Sequence, residues 1–178
     1  MGNEVIQQPA IAVQRRRRTK QQQKGSIPYA RATSGENARA EATKILRRLG
    51  CEQIGFMDDF ENREVLLAFT HRGRNIQLRA SARGWATMYL KQHPWNGHRR
   101  RSRIDYEQDA LRQGHIAVNS ILRDWIKGQV TAVESGILSF EEVFLPHMLT
   151  ADGRRVIERV QELLPKPAEQ KVVALPAR

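Results

Sequence analysis

The run Gln53–Ala80 reads QIGFMDDFENREVLLAFTHRGRNIQLRA, and it predicts three strands. Gln53–Met57 is short and apolar, and Asp58–Asn62 has turn chemistry. Arg63–Thr70 is rich in β-formers, with Val65, Leu67 and Phe69 on one face. Arg72-Gly73 reads as a tight hairpin turn in which the glycine supplies positive φ. In Arg74–Ala80, Ile76, Leu78 and Ala80 point one way and Asn75, Gln77 and Arg79 the other. The meander should therefore bury one face and leave the other polar to basic.

Working outward, order should begin near Tyr29. Ser34 is an N-cap, and Ala38, Ala42, Ile45, Leu46 and Leu49 mark one face of a helix. Gly50 suits its C′ position, and Arg47 and Arg48 fall in the last turn, where cations favour the dipole. Downstream of the meander, Trp85–Gln92 has the length of a short helix, and His93–Gly97 is loop. A long helix is predicted over about Asp105 to Glu134, with Leu111, Val118, Ile121, Leu122, Trp125, Ile126, Val130 and Val133 as its stripe. Gly114 and Gly128 weaken it and mark a bend or a close contact. Ser139 and Glu142 form a capping-box pattern for a short helix through Phe144, which Pro146 ends or kinks. Asp152-Gly153 starts a last helix, whose face is Val156, Ile157, Val160, Leu163 and Leu164 and which Pro165 stops. The expected fold class is α+β: a small antiparallel three-stranded sheet, preceded by one helix and followed by a long helix and two shorter ones. Residues 29–165 form one domain, residues 1–28 a disordered basic arm and residues 166–178 a flexible tail.

The chain has 178 residues and a net charge of +11. Residues 1–33 are net +6, residues 34–69 net −2, residues 70–103 net +9 and residues 104–178 net −2. The body is mildly acidic, so the basicity is local. Between Thr70 and Arg103 lie eight arginines, one lysine and no acid, interleaved with Trp85, Tyr89 and Trp95. Such a run binds polyanions, nucleic acid foremost. Arginine suits phosphate because its planar fork donates two parallel hydrogen bonds. Arg72, Arg74, Arg79 and Arg83 are expected on or beside the hairpin, and Lys91 in the short helix. Arg99, Arg100, Arg101 and Arg103 are expected on the following loop. Aromatic rings between basic groups offer stacking surfaces for unpaired bases; the alternative is a solvated charged face with Trp85 and Tyr89 in the core. Arg15, Arg16, Arg17 and Arg18 in the arm can contact phosphates without reading sequence, or equally an acidic protein surface.

Signatures of catalysis are weak. His93, Asn96 and His98 carry the letters of an HNH nuclease, but they crowd into six residues. Asp58, Asp59, Glu61 and Glu64 are an imaginable Mg²⁺ cluster in a stretch where turn chemistry already calls for such residues. His71, His115 and His147 are isolated in sequence. No metal, cofactor or catalytic residue is assigned. Cys51 is the only cysteine, so an intramolecular disulfide is excluded and a reducing compartment is expected. No apolar run approaches the ~20 residues that span a bilayer, and the N-terminus lacks a signal-peptide core. The expected location is the cytoplasm, an Arg-rich transit peptide being the alternative. Ile137–Arg154 is dense in apolar residues. It is expected to dock on the long helix; otherwise the Phe140–Leu149 region is a homo-oligomer or partner surface.

Several of these segments carry a resemblance. They are Tyr29-Ala30-x-x-Thr33-Ser34 before the first helix, Gly73-Arg74 opening the third strand, and the run Ala132-Val133-Glu134-Ser135-Gly136-Ile137 through Phe140-Glu141, Phe144-Leu145-Pro146 and Asp152-Gly153-Arg154. Together they resemble a family of small uncharacterised bacteriophage and prophage proteins, over roughly Tyr29 to Val160. The chain departs from that pattern at Ala80-Ser81-Ala82, where a Pro-Leu-Pro-like exit is expected, and in lacking an Arg-Trp pair near the start of the long helix. The resemblance implies a phage or prophage origin, hence a bacterial host cell, and carries over no catalytic role. The expectation is a non-enzymatic nucleic-acid-binding protein, DNA before RNA, acting in replication, recombination (single-strand binding or annealing) or regulation. The alternatives are a module that binds an acidic host or virion protein, and a metal-dependent nuclease.

Overall fold

The computed structural model describes residues 27–97 and 101–164. The arm residues 1–26 with Arg15–Arg18, then His98, Arg99, Arg100 and Pro165, and the tail 166–178 lie outside the described residues. The architecture is α+β. Strands β1 (Glu52–Asp59), β2 (Glu64–His71) and β3 (Arg74–Ser81) form one antiparallel sheet in the order β1-β2-β3. Each strand runs one or two residues beyond its expected end, because pairing continues until the turns begin. Leu67 lies between Phe56 and Leu78 in register, and Val65 faces Ala80. A bulge falls between Glu52 and Gly55, with Gln53 at φ +49°. The β2–β3 turn has both Arg72 (φ +48°) and Gly73 (φ +75°) in the left-handed region, as a two-residue turn of the right twist requires.

The inner face of the sheet carries Val65, Leu67, Phe69, Ile76 and Leu78, all buried. Helix α1 (Gly35–Arg48) is capped by Ser34, whose hydroxyl accepts from the Asn37 amide, and Gly50 follows its end at φ +85°. Helix α2 (Ala82–Gln92) starts earlier than expected, because the Ser81 hydroxyl accepts from the Gly84 amide and sets the first turn. Helix α3 (Arg103–Glu134) packs on both. Its first half buries Tyr106 and the small Ala110, Gly114 and Ala117, and its second half buries Leu122, Ile126 and Val130. The small residues let α2 approach: a Cβ on Gly114 would lie 2.6 Å from the Ala82 carbonyl oxygen.

Order reaches further towards the N-terminus than the sequence suggests. Ile27 is buried in the core, and the Pro28 carbonyl accepts from the Trp85 indole at 3.0 Å. The strap 27–34 crosses α3, where the Tyr29 hydroxyl donates to Asp124 at 2.6 Å and Gln113 donates to the Ala32 carbonyl at 2.9 Å.

Helix α4 (Phe140–Phe144) has the reciprocal capping box of Ser139 and Glu142 and runs into a 3-10 turn at Leu145–His147. Phe144 is fully buried, edge-on to both Phe69 and Trp125. Phe140 lies on the His71 ring at 4.3 Å. The Leu149 amide donates to the Asn75 carbonyl at 2.8 Å, so this segment also borders β3. Phe140, Val143, Phe144 and Met148 therefore go into the core, while Leu145 stays exposed. Helix α5 (Val156–Leu163) differs from expectation twice. It begins after Asp152-Gly153 by three residues, and it buries none of its residues: Val160, Leu163 and Leu164 are exposed.

Candidate nucleic-acid interface

The acid-free stretch from Thr70 to Arg103 divides in space. Arg72 is exposed at the hairpin tip. Arg74 has the parity of the inner face and is drawn to α4, where it pairs with Glu141. Arg79 is exposed on the outer face and donates to the Gln77 side chain. On an extended strand Arg74 and Arg79 are about 17 Å apart, so the hairpin arginines do not form one patch. The outer face of the sheet also presents Met57, Leu66, Ala68, Thr70, Asn75 and Gln77, with no aromatic ring among them. It is a mixed polar and aliphatic face with one arginine, not a stacking platform.

Helix α2 and the loop after it hold the rest. Arg83 and Lys91 are exposed at i and i+8, two turns apart on one stripe of α2 with Thr87 between. Neither has an ion pair among the described residues. The loop then carries Trp95 to the start of α3. Trp95 is 37 % exposed, with its indole N–H donating to the Arg101 carbonyl at 3.1 Å. Arg101 and Arg103 are exposed but paired, with Asp109 and Glu107. Glu107 raises the Arg103 pKa further by hydrogen bond and charge, so that cation is permanent.

The three aromatics of the stretch have different fates. Trp85 is 5 % exposed, and its ring is stacked on Tyr89 at 5.4 Å and 17°. It is a core residue, and a base cannot reach it. Tyr89 is half-buried between Trp85, His93 and Tyr106. Trp95 is the most exposed of the three.

The groups considered for catalysis have structural engagements. Asp58 pairs with Arg39, which also donates to Asn119 at 2.8 Å and lies over the Phe56 ring. Asp59 accepts from the Asn62 amide and side chain, which lowers its pKa in a closed turn. The His93 carbonyl accepts from the Tyr106 hydroxyl at 2.8 Å, and Asn96 is exposed in the loop. Burial pushes the Cys51 thiol up to about 11, leaving it protonated 3.8 Å from His71. Burial also lowers the pKa of His71, His115 and His147. Among the described residues no three His, Cys, Asp or Glu side chains converge as metal ligands. No helix among them is long and apolar enough to cross a membrane.

The sequence reading passed over Tyr106, Asp109 and Arg112. They recur at three-residue spacing along the N-terminal part of α3, the one signal that could have shown them. Their stripe is polar and aromatic, so a search for large apolar residues does not find it. No family model, curated protein or solved structure matches this chain.

Proposed function

We propose that the chain is a non-enzymatic nucleic-acid-binding protein of phage or prophage origin, acting on DNA in replication, recombination or regulation in the cytoplasm of a bacterial host. One observation carries the reading. The exposed stripe of α2 offers Arg83 and Lys91 free of carboxylate partners among the described residues, and it leads into the loop that bears Trp95. Cations without carboxylate partners are the groups that release counterions from a phosphate backbone. The arginines already paired, Arg74, Arg101 and Arg103, must exchange a carboxylate for a phosphate, so they contribute less. The phage setting rests on the resemblance alone.

The test is a salt-titrated anisotropy assay on matched single- and double-stranded DNA and RNA. The double variant R83E/K91E should lower the log–log salt slope by about 0.7 to 0.9 per lost phosphate contact. A control pair, R74A and R103A, should change it less. If the wild-type chain binds no probe at ~50 mM salt, where such contacts are strong, the proposal is wrong.

A further inference from the structure

A cleft of about 820 Å³ opens between Ala30 of the strap, the C-terminal part of α2 and the N-terminal part of α3. It lies within the ~300–1,000 Å³ of ordinary ligand sites. Its wall is formed by Tyr89, Tyr106 and Ile116, and its rim by Arg101, Asp109 and Arg112. The wall is set in advance. Trp85 backs the Tyr89 ring, and the Tyr106 hydroxyl is held by the His93 carbonyl. Rings fixed before binding lose little freedom on contact. The rim has two guanidiniums on one carboxylate, since Arg101 and Arg112 both pair with Asp109. It therefore retains one positive charge, and both arginines are mostly exposed and able to turn to a second anion.

A partly exposed Tyr89 ring under a cationic rim matches a nucleotide, with the base against Tyr89 and the phosphate against the arginines, while the buried Tyr106 closes the floor. A paired base cannot enter, because its faces are covered by its neighbours in the stack. We infer that this cleft takes one unpaired nucleotide of a single strand, which makes single strands the preferred substrate. The inference rests on the nucleic-acid reading above and adds strandedness to it.

The experiment uses the full chain with a thymidine oligonucleotide and a matched duplex. Y89L keeps an apolar side chain and removes the ring, and should weaken strand binding about tenfold, as loss of one base–aromatic contact does, with duplex binding unchanged. R112A removes an exposed cation and should reduce the single-strand salt slope by about 0.7. Photocrosslinking of the wild-type chain to an iododeoxyuridine oligonucleotide, mapped by peptide mass, should label Tyr89; this decides the matter even if Y89L does not fold. Crosslinks confined to Trp95, or an equal loss of strand and duplex binding in Y89L and R112A, overturn the cleft assignment and leave the α2 reading standing. Wild-type binding to neither probe overturns both.

Discussion

Gly114 and Gly128 look alike in the sequence, as two glycines inside one predicted helix. Their surroundings separate them. A methyl group at Gly114 would meet the backbone of Ala82 at 2.6 Å, whereas nothing lies within 4 Å of one at Gly128. G128A should therefore stabilise the protein by up to ~1 kcal/mol, the helix-propensity gain. G114A should destabilise it by about 1–3 kcal/mol, since overpacking outweighs that gain. Urea unfolding of both variants measures this, and a stabilised G114A would show that α2 is free to move away. The same contrast holds for the tryptophans: neighbouring charge marks Trp85 and Trp95 alike, but only packing tells that one is core and the other surface.

At the scale of elements, α4 depends on its cap. Five residues are too few for a free-standing helix. Its conformation is held by Ser139 and Glu142 and by the burial of Phe140, Val143 and Phe144. S139A should cost about 1 kcal/mol, typical of a lost N-cap, read as a lower urea midpoint with an unchanged m-value. A midpoint within error of the wild type would mean that docking alone holds the helix. This element was legible in the sequence, because the capping box is a local pattern. Helix α2 was only half legible. It has no clean apolar stripe, and its buried residues Ala82, Trp85 and Ala86 include two small ones that draw their burial from α3. Helix α5 was legible as a helix but not in its environment. An amphipathic pattern says which face is apolar, and cannot say whether anything covers it.

For the whole molecule, one buried and two half-buried imidazoles couple stability to pH. His71, His115 and His147 are each held below the ordinary value of 6.5 by burial, with neighbouring arginines adding to the effect. In the window from 6.5 down to those lower values the unfolded chain binds more protons than the folded one. Stability is then fully present above about pH 6.5 and falls as pH drops through that window. The urea midpoint should be lower at about pH 5.5 than at about pH 7.5. H147L removes a ring whose Nδ1 is buried without a partner, and should flatten the slope. A midpoint that does not change with pH in the wild type would contradict the burial of all three.

The sequence by itself determined the local elements. Periods of two and of 3.6, the Ser34 and Ser139 caps, the Arg72-Gly73 turn and Gly50 are read over a few residues, because each is set by backbone sterics and short-range hydrogen bonds. It also determined that the excess charge is concentrated in two stretches, residues 1–33 and 70–103. Only the tertiary structure decided how that charge is used. Pairing across elements neutralised Arg74 with Glu141 and Arg101 with Asp109, whereas Arg103 took Glu107 one turn on within α3. The same packing left Arg83 and Lys91 without partners among the described residues and closed Trp85 into the core. Through-space contact has no sequence period, so which cations lack a carboxylate partner, and which ring stays exposed, was settled by the way α2 lies against α3.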